Sequence, residues 1–320
     1  MGKKTKKQKQ AQKARQTRTR YLVSHTQKQV KTLSLSKSYS TASQAASIDL
    51  QHAPDTYRTL GNNQDASKTN LLLRDSHTDN PLLMRISPTS VYKQDQARQA
   101  AETGYQCLKE FKESIPMRQT RGLFELGIYH SVGQSYLGFM KANKQEELKK
   151  EAWELLKWAR DYSAKHLLTI RTLLPAEWRK DMESQEKKEF LKKLFKKQAD
   201  LLSPWWTTIT FFNSFTGKAH FDHSDHTPSF LFNFGAPCLL VLHNYKVKVQ
   251  LNAFGIAVFG NRQLHHSTLP TDEDGERWAF SAFYRKAIYN EQGPSQIGKD
   301  VLDAVLGQEE EKPQIRGANK

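Results

Sequence analysis

The sequence predicts an α+β protein in which a small β-sandwich or jelly-roll barrel packs against the helices that precede it. Three observations predict it. From about residue 93 to 200, apolar residues recur at helical spacing; from about 203 to 288, short β-branched and aromatic runs are broken by Gly, Pro and Asn. No helix-length segment separates those runs, whereas strands joined in parallel need long crossovers, so the sheet order they imply is antiparallel.

Taken in order, residues 1–85 are rich in Lys, Gln, Ser, Thr and Asn and hold no sustained periodicity, which predicts a basic, disordered N-terminal region. The domain proper is expected over 86–290, its helical part over 93–200. There, "QARQAAETGYQCLKEFKES" is amphipathic, and "EELKKEAWELLKWARDYSAKHLL" places Leu148, Ala152, Leu155, Ala159 and Tyr162 on one face. The stretch "EKKEFLKKLFKKQADLL" sets Phe190, Leu191, Leu194 and Phe195 against five lysines; this is a solvated face first and a phosphate-tracking one second. After "SPWW" come six candidate strands: "TTITFF", "SFLFNFG", "CLLVLH", "KVKVQL", "GIAVFG" and "RWAFSAFYR". The period-two pattern of "KVKVQL" is that of a half-buried antiparallel strand. Residues 291–320 read as a C-terminal tail.

The net charge of +16 is unevenly placed. Residues 1–48 carry twelve Lys/Arg and no Asp or Glu, leaving 37 of the 49 basic residues to face all 33 acidic ones. A basic arm of this kind attracts polyanions without reading sequence, and "KKTKKQKQAQKAR" has the composition of a nuclear-localisation signal. The expected location is the nucleus, with the cytoplasm as the alternative. Two cysteines far apart, Cys107 and Cys238, provide neither a disulfide framework nor a CxxC zinc site. No apolar run reaches the ~18–20 residues of a membrane span, and "MGKKTKKQKQ" lacks a secretory core, so an intracellular protein without a membrane partner is expected.

The chemistry concentrates in "AHFDHSDHTPSFLFNFG", residues 219–235, where His220, His223 and His226 interleave with Asp222 and Asp225. On an extended chain, residues i and i+2 share a face, so His220 with Asp222, or His223 with Asp225, can turn two ligands toward one ion. A second histidine from "NRQLHHSTLP", His265 or His266, would complete two histidines and a carboxylate on one side of a metal. That donor set with open positions is the pattern of non-haem Fe(II) oxygenases, while structural zinc takes four ligands, usually with cysteine. A later strand opens on Arg277, whose guanidinium can grip a carboxylate bidentately.

These residues resemble the TET/JBP family of Fe(II)- and 2-oxoglutarate-dependent dioxygenases, in particular its small single-domain TET-like members from lower eukaryotes. The resemblance spans roughly residues 205–286. The family's HxDxxD, TPS and aromatic strand ending in FG match "HFDHSDHTPSFLFNFG", which favours the His220 and Asp222 frame. Its later histidine matches "FGNRQLHH" at His265, with His266 the second choice, and its 2-oxoglutarate-gripping arginine falls on Arg277. The resemblance therefore implies a double-stranded β-helix (jelly-roll) core with packed N-terminal helices. It implies His220, Asp222 and His265 as catalytic iron ligands, Fe(II) as cofactor and 2-oxoglutarate as cosubstrate.

It further implies DNA as partner, bound by a monomer with a methylated base flipped out. Asp225 matches the family's base-contacting acidic residue. Its exocyclic-amine preference points to 5-methylcytosine first and 6-methyladenine second. Two features depart from the family: a base-contacting histidine late in the last strand is replaced near Arg285, and "APCLLVLHNYK" replaces a glycine-containing segment. Two other readings compete. One is an oxygenase of the same mechanism acting on RNA, protein or a small molecule. The other is a nucleic-acid-binding protein without catalysis, in which the basic arm does the work and the histidines are structural.

Overall fold

In the computed structural model, the residues described are 30–39, 55–61, 66, 68–91, 99, 102–104, 106–107, 109–110, 123–130, 136–139, 146–185, 203, 205–213, 218–271, 275–285 and 296–297. Alternation along the central strands explains how they stack. The strands β4 (Pro81–Ile86), β7 (Thr208–Asn213), β8 (Ser229–Asn233), β11 (Ile256–Phe259) and β13 (Trp278–Phe283) lie in one sheet. Successive side chains point to opposite faces. Met84, Ile86, Phe211, Phe230, Phe232, Val258 and Phe280 therefore share one core, and Leu83, Leu231, Ala257 and Ala279 share another.

The first core is closed by α1 (Glu146–Leu173) and α2 (Ala176–Gln185). The helix ends before Pro175, a residue that disfavours helical backbone just ahead of it. Phe211, Phe280 and Phe232 stand opposite one another across β7, β13 and β8, their ring centroids 5.5 and 4.7 Å apart. Trp158 and Tyr162 of α1 pack edge-on against Phe280. Such pairs add about 0.5–1.5 kcal/mol each beyond the area they bury, enough to fix the helix against this face. Of the expected apolar face, Ala152, Leu155, Ala159 and Tyr162 are buried, extended by Leu156, His166 and Ile170, while the Leu148 side chain lies outside those described.

The second core lies between this sheet and a smaller one made of β2 (Arg58–Leu60), β9 (Cys238–Leu242), β10 (Val247–Leu251) and β12 (His266–Pro270), in the order β12-β9-β10-β2. Leu240, Leu242, Val249 and Leu251 meet Leu83, Leu231 and Ala257 there. Two sheets of mostly antiparallel strands enclosing a common core form the jelly roll. All six strands expected over 203–288 form, and β12 joins them.

The N-terminal expectation is corrected. Within residues 1–85 the chain builds β1 (Val30–Leu35), β2, β3 (Asn70–Asp75) and β4, and β1 runs parallel to β3 at the sheet edge. Their stability comes from long-range partners, β11 for β4 and β10 for β2, rather than from local pattern. The region expected to be helical also holds β5 (Leu123–His130), paired with β7, and β6 (Tyr136–Phe139), which pairs with β14 (Gln296–Ile297) from the C-terminal tail. The strand "KVKVQL" is buried on both faces, its Lys248 only 9 % exposed. The lysine stretch 186–200 and residues 1–29 lie outside the described residues.

Gly235 shows how tightly the central strands meet. A Cβ built on it would lie 2.1 Å from the Trp278 amide nitrogen, and the Gly235 N–H donates to the Trp278 carbonyl at 2.9 Å. Any larger residue must push β8 and β13 apart.

Candidate metal centre and adjoining cavity

The segment of residues 218–228, which leads into β8, runs from the smaller sheet to the larger one. At its start, His220 pairs antiparallel with His266, each amide donating to the other's carbonyl at 3.0 Å. At its end, Asp225 pairs with Arg285 and the His226 amide donates to the Tyr284 carbonyl at 2.7 Å. The segment is thereby pinned to the first residue of β12 and the end of β13, across the mouth of the jelly roll. Residues facing each other in such a pair project to one side. Their rings accordingly lie 4.6 Å apart, and Asp222, two residues after His220, joins them.

The three donors converge. Nε2 of His220 is 3.3 Å from Oδ1 of Asp222, and Nε2 of His266 is 3.5 Å from Oδ2. One ligand atom from each residue lies within 4.8 Å of the others, close enough to hold a metal ion. Nδ1 of His220 faces the Lys218 carbonyl at 2.8 Å, and Nδ1 of His266 faces the Leu264 carbonyl at 3.0 Å. A carbonyl only accepts, so each Nδ1 carries a proton, and a metal would take the Nε2 lone pairs, displacing the proton that joins His220 to Asp222. Metal-binding imidazoles are oriented by back-side hydrogen bonds of this type. The residues present therefore fit a divalent transition metal bound through two nitrogens and one oxygen.

Charge in the cluster is balanced locally. Burial opposes ionisation of Asp222, but the His220 hydrogen bond, the neighbouring His266 and His220 and the Asn261 side chain hold its carboxyl below the usual range. The hydrogen bond to Asp222 raises His220 against its burial. His266 is buried, and burial lowers it despite the adjacent carboxylate.

The geometry puts His266, and not His265, opposite His220; this corrects the third position expected from the sequence. His265 turns the other way. Its Nδ1 lies 2.8 Å from the Tyr39 hydroxyl, and its ring stacks on Phe221 at 4.6 Å and 5°. The alternative frame does not assemble among the described residues: His223 is exposed and stacked on Phe221, and Asp225 turns to Arg285.

The His220, Asp222 and His266 donors border a cavity of about 300 Å³ whose walls include Phe212, Leu231, Leu240 and Phe259. Arg277, 3 % exposed, lines the same cavity; its Nη1 donates to Thr268 Oγ1 at 2.8 Å, and its guanidinium lies 5.8 Å from the Phe212 ring centre. Thr268 is two residues beyond His266 on β12, so the arginine and the donor cluster open onto one space. On the remaining wall, Arg285 Nη1 contacts Asp225 at 2.8 Å and Nη2 contacts Glu125 at 3.4 Å. Burial raises the Asp225 carboxyl to about 7, with Asp222 and Glu125 adding to the shift and Arg285 opposing it. Glu125 had no signal in the sequence: it sits on β5, in a stretch read as helical.

Neither a family model nor a curated protein sequence matches the chain. Among solved structures, NgTET1 in complex with 5mC DNA is similar at a TM-score of 0.55, covering 90 % of this chain and 94 % of that one at 15 % identity. A prolyl-4-hydroxylase from Pseudomonas putida gives 0.32 over 64 % and 92 % of the two chains at 13 % identity, a likeness too slight to carry argument. What the first likeness establishes is the fold, an α+β protein built on a jelly-roll core.

Proposed function

We propose that the chain is an Fe(II)- and 2-oxoglutarate-dependent dioxygenase that hydroxylates the methyl group of a methylated DNA base, 5-methylcytosine first and 6-methyladenine second. The observation that carries this reading is the convergence of His220, Asp222 and His266 in a cavity whose other wall holds a buried arginine. Two histidines and a carboxylate that leave coordination positions open are the donor set of non-haem iron oxygenases. NgTET1, alike in fold, was solved with 5mC DNA, which supports the choice of substrate class.

In this reading the three side chains hold the iron. With 2-oxoglutarate and dioxygen, the metal supplies the oxidising chemistry, in which the cosubstrate leaves as succinate and CO2 while the methyl group gains a hydroxyl. Arg277 pairs with the far carboxylate of 2-oxoglutarate, helped by Thr268. The apolar walls exclude water and strengthen that ion pair. A stacked base cannot enter so closed a space, so the nucleotide is flipped out at a cost of a few kcal/mol. Asp225 accepts from the exocyclic amine, and Arg285, held between Asp225 and Glu125, donates to ring acceptors. The nucleus is the proposed location, on the strength of the basic N-terminal residues.

The test is nucleoside mass spectrometry after incubating methylated DNA with the protein, Fe(II), ascorbate and 2-oxoglutarate. Wild type is expected to yield hydroxymethyl bases and Asp222→Ala neither these nor succinate, at unchanged secondary structure. Succinate without any oxidised base would move the substrate to RNA, protein or a small molecule. Full turnover by Asp222→Ala would sink the site itself.

A further inference from the structure

The histidine beside the metal cluster, His265, bridges Tyr39 on one side and the segment that carries His220 and Asp222 on the other. After β1, the Ser38 amide and hydroxyl both donate to the Asn244 carbonyl, at 2.8 and 3.0 Å. This turns Tyr39 inward until it is 8 % exposed and its hydroxyl meets Nδ1 of His265 at 2.8 Å. The face of the His265 ring lies on Phe221, the residue between His220 and Asp222. Meanwhile its amide donates to Asn244 Oδ1 at 3.2 Å.

We infer that Tyr39 and His265 are positioning residues that brace the metal-binding segment from behind, His265 holding Phe221, the residue between His220 and Asp222, while its own neighbour His266 faces the metal. The inference rests on the metal reading above. It assigns a role in the metal site to a segment far away in sequence, residues 36–39, which touches none of the three donors. Without the brace, Phe221 loses the stacked ring that helps set the direction of His220 and Asp222.

The measurement is equilibrium binding of Co(II) to the full metal-free chain under anaerobic conditions, with thermal unfolding of the same metal-free samples. Loss of an outer hydrogen bond of this type weakens metal binding by about 10–100-fold. Tyr39→Phe is expected near the lower figure and His265→Ala near the upper one. His265→Gln should recover part, since an amide side chain can still meet the Tyr39 hydroxyl. All variants should still bind one metal per chain, with metal-free unfolding midpoints close to wild type. Equal affinity in wild type, Tyr39→Phe and His265→Ala overturns the brace, as does a loss that merely tracks a fall in metal-free stability. Loss of all binding in His265→Ala with retention in His266→Ala would make His265 a ligand instead. A wild-type chain that binds no Co(II) overturns the metal reading itself, so that failure is distinct from failure of the brace.

Discussion

At the scale of single residues, the candidate site separates what spacing can say from what only pairing can say. His220 with Asp222 is legible because i and i+2 share a face on any extended chain. The choice between His265 and His266 is not, because neighbours point to opposite faces, and which face is inward depends on a partner 46 residues away, His220. Asp225 carries a sharper expectation. Its carboxylate lines the cavity and pairs with Arg285 without joining the metal cluster. If it receives a base amine, Asp225→Ala removes a hydrogen bond to a charged group worth about 1.5–3 kcal/mol and cuts base oxidation roughly ten- to a hundredfold. Succinate formed without base should largely survive. Equal loss of both activities would assign Asp225 to the metal or the cosubstrate.

At the scale of elements, six strands over 203–288 are legible because each is short, apolar and bounded by turn residues, whereas β12, "HSTLP", has no such run. The strands β1 to β4 are not legible. Each is a brief apolar run, such as "NLLLRD" or "PLLMRI", whose value as a strand depends on a partner far along the chain. Helix α1 was legible by its period, but the pattern did not reveal that its buried face includes a histidine. His166 is 1 % exposed and stands beside Tyr162 and Phe232. Burial, with the Lys165 charge adding, lowers its pKa to about 3. Below its ordinary value near 6.5 the unfolded chain takes up a proton that the folded chain refuses. Stability is therefore complete above about 6.5 and falls as the pH drops toward 3, by on the order of 4 kcal/mol in all. His166→Phe keeps an aromatic ring under the sheet and removes the proton site, so its urea midpoint should change less than that of wild type between pH 6.5 and 4. Parallel profiles would place the acid sensitivity elsewhere.

At the scale of the whole molecule, the basic N-terminal region has two parts with different duties. Residues 1–29 hold ten of the twelve Lys/Arg in residues 1–48, whereas residues 30–39 pair β1 on β3 and carry Tyr39 to His265. A truncation can therefore separate polyanion attraction from folding, provided that it stops before Val30. Removing residues 1–29 is expected to leave the thermal midpoint and metal binding unchanged while weakening binding to duplex DNA and flattening its salt dependence. For every phosphate that the arm no longer neutralises, the slope of log K against log salt becomes shallower by about 0.9. Removing residues 1–39 should in addition lower the midpoint and weaken Co(II) binding, because a six-residue strand and the Tyr39 hydroxyl go with it. Titrations of both truncations at several salt concentrations check the two halves independently. An unchanged salt slope in the shorter truncation would move the DNA-binding surface onto the rest of the chain, where 39 Lys/Arg against 33 Asp/Glu leave far less net charge to supply it.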